Sequence, residues 1–135
     1  MILVDTSVLI GYLRGSKSFK IELFEQVLAR KIPFGFSIFT YQEVLQGAKD
    51  ETEWKALQEY LATQQLYYPA QKLESYERAA RLSFDLRRRG VTVRSTIDLL
   101  IVMTAVEQDL ALLHDDNDFD QVAGHFSELR VLNRL

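Results

Sequence analysis

The chain has 135 residues, no cysteine, and a net charge of −3 from 16 Lys and Arg against 19 Asp and Glu. That length suits one domain with its own core. The missing thiols exclude disulfides, thiolate metal sites and cysteine nucleophiles, and no run approaches the roughly 20 apolar residues of a membrane span. The opening "MILVDTS" lacks the basic start and small-residue cleavage site of a signal peptide, so a cytoplasmic protein is expected. On average charge alone, nucleic-acid binding is disfavoured, because phosphate contacts leave a basic footprint. That average shifts if four of the 19 carboxylates are held on a metal, since 16 cations then face 15 anions. The placement of charge therefore counts for more than its sum.

In chain order, "ILVD" at 2–5 is a short apolar strand ending in an aspartate. "TSVLIGYLRG" follows with a capping residue, apolar side chains at helical spacing and a closing Gly15. "SKSFKIELFEQVLARK" predicts a second amphipathic helix with Phe19, Leu23, Val27 and Leu28 on its apolar face. "IPFGFS" is a second strand with Pro33 at its entry. "FTYQEVLQGAK" and "ETEWKALQEYLATQ" predict two helices with a break near Asp50, and "QLYYP" a short strand. "ESYERAARLSFDLRRRG" is a long helix, acidic at its start, arginine-rich at its end and stopped by Gly90. "STIDLLIVMTAVEQ" is a very apolar helix opened by Ser95 or Thr96; "LALLH" and "LRVLN" are the last two strands. Short apolar strands alternating with helices indicate a single three-layer α/β domain over residues 1–135, its central parallel sheet covered by helices on both faces. No repeat, linker or low-complexity tract interrupts it.

In open α/β sheets, ligands bind beyond the carboxyl ends of the strands, where strand order reverses. Asp5 ends the first strand, Asp116 follows the strand ending at Leu113, Asp98 opens the apolar helix, and Glu43 lies in the first turns of the helix after the second strand. The topology thus sends all four to one rim. Grouped carboxylates repel unless a cation is present, and an oxygen-only donor set favours a hard ion such as Mg²⁺ or Mn²⁺. Such an ion can lower the pKa of a bound water and neutralise charge developing on a phosphodiester. Each residue also has a plainer reading. Asp5 before Thr6-Ser7 caps a helix, Glu43 is solvated, Asp98 answers a helix dipole, and Asp115, Asp116 and Asp118 are turn formers.

Together, "ILVDTSVLI", Glu43 in "FTYQEVLQG", "STIDLLIVMTA" and "LLHDDNDF" closely resemble the PIN domain, and within it the VapC-type toxins of toxin–antitoxin pairs. The resemblance spans essentially the whole chain. It implies a PIN-like fold and a Mg²⁺- or Mn²⁺-dependent endoribonuclease, a homodimer held inactive by a cognate VapB-like antitoxin. By the same resemblance, Asp5, Glu43, Asp98 and Asp116 match the acidic quartet, and Asp118 a further acid that assists a second metal or the fold around it. Thr6 and Ser7 match the polar pair that orients a ligand. Asp115 and Asp120 match nothing functional and are read as surface residues. One departure is His114, which stands where many relatives carry Ser or Thr; it is read as a strand-end residue, with a hydrogen-bond donor as the alternative.

Arg78, Arg81, Arg87, Arg88, Arg89 and Arg94 line the long helix and the loop towards Asp98. Of these, Arg87, Arg88, Arg89 and Arg94 are candidates for an RNA phosphate track, with dipole compensation and solubility as the other reading. "FKIELFEQVLARKIPFGFSIF" is core, or else a groove for an antitoxin helix, and Trp54, Tyr60, Tyr67 and Tyr68 are open between core and interface. A PIN nuclease of RNA processing without a toxin role is the nearest alternative. A haloacid-dehalogenase-like phosphatase needs a second acid where Ser7 stands. A phospho-receiver needs an acidic pair near its first strand and a lysine after its last, and "LRVLNRL" has none; a metal-dead scaffold would have lost one of the four acids.

Overall fold

Apolar residues in unbroken succession need cover on both faces of a sheet, and the strands of this protein receive it. In the computed structural model, which describes residues 1–135, four short strands lie parallel: β1 (Ile2–Val4), β2 (Phe34–Ser37), β3 (Leu66–Tyr67) and β4 (Ala111–Leu113). Their order is β3-β2-β1-β4. Seven helices connect them: α1 (Thr6–Leu13), α2 (Phe19–Ala29), α3 (Ile38–Gln46), α4 (Glu51–Ala62), α5 (Leu73–Arg88), α6 (Thr96–Glu107) and α7 (Asn117–His125). The expected three-layer α/β arrangement is the one observed. No helix is long and apolar enough to cross a membrane.

The pleat divides the strands between two cores. Ile2, Val4, Phe36 and Leu113 pack with Val8, Leu9, Leu23, Phe24, Val27, Val44 and Leu61 on the side of α1 to α4. Leu3 and Leu112 pack with Leu82, Leu86, Ile101, Met103, Phe119 and Val122 on the side of α5 to α7. In register, Ile2 pairs with Phe34 on one side and Ala111 on the other, and Leu3 with Gly35 and Leu112. The chain leaves β1 towards β2 and β3, then returns to place β4 on β1's other flank, so strand order reverses between β1 and β4. The crevice at that reversal is where Asp5 and Asp116 emerge.

Gly15 and Gly90 stop their helices at φ of +73° and +78°, a region closed to most side chains. Three expectations change. "LRVLN" is no strand: β4 is only three residues long, and Val131 alone forms a bridge to Leu112. "DND" is not a free turn, because Asp116 caps α7, whose Phe119 and Val122 are buried. Phe19 is 60% exposed; Ile21 and Phe24 join Leu23 and Val27 on the buried face of α2 instead. Within "FKIELFEQVLARKIPFGFSIF", Ile21, Leu23, Phe24, Val27 and Phe36 are core, while Phe19 is exposed, as are Trp54 and Tyr68 elsewhere.

Candidate metal centre

Helix capping brings the acids into place. Asp5 has an extended backbone at the N-cap of α1, and its Oδ2 accepts from the Ser7 backbone N–H at 3.0 Å and the Ser7 hydroxyl at 2.6 Å. The Asp5 N–H donates to the Leu113 carbonyl at 2.9 Å, fixing this residue against the end of β4. Asp116 repeats the device at α7, its Oδ1 accepting from the Asp118 N–H at 2.9 Å. Asp98 sits in the first turn of α6, which Ser95 caps. Carboxylates at three helix starts also meet the positive ends of three helix dipoles.

The result is a tight acidic cluster. One carboxylate oxygen each from Asp98, Asp116 and Asp118 lies within 4.8 Å of the others. Asp5 is 5% exposed, and burial pushes its carboxyl above the usual range, with Glu43 adding to the rise and Ser7's hydrogen bonds opposing it. Asp98 is pushed from 3.8 up to about 7, first by burial, then by repulsion from Asp5, Asp116, Asp118 and Glu43. Glu43 is exposed on α3 and accepts from the Thr6 hydroxyl at 3.0 Å. The four acids predicted to converge, with Asp118, thus share one electrostatic neighbourhood.

The cations are distributed less simply. Arg94 Nε lies 3.5 Å from Asp118 Oδ2, with its side chain 83% exposed. Arg88 covers the Phe84 ring, and Arg89 donates to the His125 carbonyl at 3.3 Å. Arg87 lines a hollow with Tyr76, Thr96 and Leu99. Arg78 is an architectural residue, paired with buried Glu107 at 2.9 Å and with Glu128 at 3.6 Å, and Arg81 pairs with Asp85. Arg94 is the one arginine ion-paired to an acid of the cluster.

His114 is more than a strand end. It is 1% exposed, and its Nδ1 accepts the Asp116 N–H at 3.1 Å, which leaves the ring proton of a neutral imidazole on Nε2. Burial, then Lys20, lowers its pKa and keeps it neutral. Nε2 lies 3.3 Å from Asp120 Oδ1 without forming a hydrogen bond. Asp115 and Asp120 are exposed as expected, but Asp115 is tethered: its N–H donates to Ser7 Oγ at 2.9 Å, and its Oδ2 accepts from Ser18 Oγ at 2.7 Å. Ser7 therefore joins the first acid to the loop bearing the fourth. Two buried residues near the cluster, Ser37 and Thr40, escaped the sequence reading, although Ser37 directly before an amphipathic stretch is an N-cap signal.

A family model described as PIN domain matches residues 2–125. The chain belongs to the PIN domain family. It is 30% identical over 127 residues to the protein named VapC ribonuclease Mb1587 from Mycobacterium bovis, covering 91% of this chain and 92% of that relative. It is similar to the same extent to Ribonuclease VapC11 from Mycobacterium tuberculosis. Among solved structures, VapBC-1 from nontypeable Haemophilus influenzae matches with a TM-score of 0.72 at 19% identity over 98% of each chain. VapBC2 from Rickettsia felis, solved with a promoter DNA fragment, matches at 0.72 and 18% identity over the whole of both chains. These structures share the PIN fold described above.

The acidic cluster makes the stability of the metal-free protein depend on pH. Folded, Asp98 keeps its proton up to about pH 7; unfolded, only to about 3.8. The folded state binds the extra proton between those values, so stability falls as pH rises through that window. A cation bound at Asp98 would have to displace that proton. Thermal melts of metal-free protein are expected to show Tm declining from pH 5 to pH 7.5, with the Asp98 share of the slope lost in Asp98→Asn, and Mn²⁺ raising Tm more at pH 8 than at pH 5.

Proposed function

We propose that residues 1–135 act as one PIN domain hydrolysing RNA phosphodiester bonds with a divalent cation, Mg²⁺ or Mn²⁺. The observation that carries this reading is the convergence of Asp98, Asp116 and Asp118 within ligand distance of one another, with Asp5 and Glu43 adding negative potential. The residues fit such a group: the donors are all oxygens, and the crowding that raises Asp98 calls for a cation. Asp98, Asp116 and Asp118 would hold it, with Asp5 and Glu43 completing the acidic wall. When bound, it would neutralise phosphate charge and make water more acidic.

The chain's own residues do the rest. Ser7 holds Asp5, Thr6 holds Glu43, and Glu43 orients the attacking water and takes up its proton. Water oxygen forms the new bond to phosphorus as the P–O3′ bond breaks, and the departing O3′ takes a proton from solvent, leaving a 5′-phosphate and a 3′-hydroxyl. Arg94 stands at the mouth of the acidic cluster to receive a neighbouring phosphate, with Arg87, Arg88 and Arg89 extending that track.

The relatives named VapC ribonuclease and the VapBC structures support placing this chain as the toxin of such a pair; that it acts in the cytoplasm as a homodimer is part of the same proposal. A VapB-like antitoxin would then be its partner. Trp54 and Tyr68, two of the exposed aromatics, offer surface for such a contact.

Asp98→Asn keeps the shape of the side chain and removes its charge. Cleavage of a fluorescent RNA by this variant is expected to fall at least ~100-fold, the scale of losing one group that stabilises transition-state charge, with an unchanged far-UV spectrum. Full activity would refute the assignment. Replacing Arg94 with Ala is expected to weaken RNA binding and to lower the slope of log K against log salt by about one phosphate contact; an unchanged slope would remove Arg94 from the track.

A further inference from the structure

Ser37 and Thr40 are completely buried hydroxyl residues beneath the cluster. Ser37 caps α3, its Oγ accepting the Thr40 N–H at 3.0 Å. That cap uses only an oxygen of Ser37. It leaves the Ser37 proton unassigned and requires nothing of the Thr40 side chain. The other contacts supply what is missing. Ser37 Oγ lies 3.2 Å from Thr40 Oγ1, Thr40 Oγ1 lies 3.0 Å from Thr6 Oγ1, and Thr6 Oγ1 lies 3.0 Å from Glu43 Oε1.

Proton counting sets the direction. An ionised carboxylate only accepts, so the contact at Glu43 takes the one Thr6 proton. Thr6 then meets Thr40 as an acceptor, which takes the Thr40 proton, and Thr40 meets Ser37 as an acceptor, which takes the Ser37 proton. Every hydroxyl donates once, and the chain of donors ends on the carboxylate. Thr104, also fully buried, behaves differently, returning its hydroxyl to the Leu100 carbonyl of its own helix at 2.8 Å. Thr40 makes its side-chain hydrogen bonds to hydroxyls alone.

We propose that Thr40 is a positioning residue for the acidic cluster, passing a one-way chain of hydroxyl hydrogen bonds from Ser37 through Thr6 to Glu43. Glu43 is exposed on α3 and has no other hydrogen-bond partner, so this chain is what selects its rotamer. Through it, the start of α3 sets where the Glu43 carboxylate stands relative to Asp5 and Asp98. The inference rests on the metal-dependent reading above.

The test is Mn²⁺ binding measured by calorimetry without RNA, on wild type, Thr40→Val, Thr40→Ser, Glu43→Gln and the Thr40→Val/Glu43→Gln double variant, with a thermal melt of each. Valine keeps the volume of threonine and removes the hydroxyl. Thr40→Val is expected to bind Mn²⁺ about 10-fold more weakly, the lower end of the loss seen when a group orienting a ligand is removed. Thr40→Ser should restore wild-type affinity, and the double variant should bind no more weakly than Glu43→Gln alone. A Thr40→Val protein with wild-type affinity overturns the proposal. So does a loss that adds fully to that of Glu43→Gln, because a purely structural role acts independently of the carboxylate. If the wild type takes up no Mn²⁺, the metal-dependent reading falls and carries this inference with it. If wild type binds and Thr40→Val binds equally well, the metal reading stands and only the inference fails.

Discussion

Five carboxylates share one edge of a four-stranded sheet, and their mutual repulsion is the constraint around which the surrounding structure is arranged. Asp98 registers it most clearly: burial and the charges of Asp5, Asp116, Asp118 and Glu43 drive its pKa to about 7. Structural ion pairs elsewhere in the molecule look different. Glu107 is just as secluded, yet Ala70, Ser75 and Arg78 all donate to it. The cluster at the β1–β4 reversal has only one arginine at its rim, and its other donors are uncharged hydroxyl and backbone N–H groups. Like charges packed this way are stable when something positive completes them.

The chain tolerates such crowding because backbone groups hold the acids. Asp5 and Asp116 each accept an N–H from the first turn of a helix, so the geometry of the cluster is set by the starts of α1 and α7 and not by flexible side chains. Ser7 ties these two anchors together by donating to Asp5 and accepting from Asp115. His114 holds the same loop from inside by accepting the Asp116 N–H. The parallel sheet beneath, buried on both faces, supplies the rigid platform that a preorganised charge site needs.

Much of this was legible in the sequence. Alternation of apolar strands with capped helices gives the layers, and the rule that ligands gather beyond strand ends brings Asp5, Glu43, Asp98 and Asp116 together before any coordinates exist. Asp5 caps a helix as its plain reading has it, Asp116 caps one where a turn was expected, and both also lie against the cluster. Other features were hidden for physical reasons. α7 is short and begins in a run of polar residues that equally suits a turn. The pairing of "LRVLN" depends on how far β4 extends, which its own residues do not encode. Phe19 looks like its apolar neighbours until the helix is rotated against its sheet. The hydroxyl chain from Ser37 to Glu43 joins residues up to 37 positions apart and has no periodicity to betray it. Arg78 and Arg81 resemble Arg94 in sequence but find carboxylate partners only in three dimensions.

The account stands or falls on where a cation binds. Crystals grown with Mn²⁺ and measured at an energy where manganese scatters anomalously give that position directly. The account predicts one strong peak among the carboxylates of Asp98, Asp116 and Asp118; a peak elsewhere, or none at saturating Mn²⁺, would contradict it.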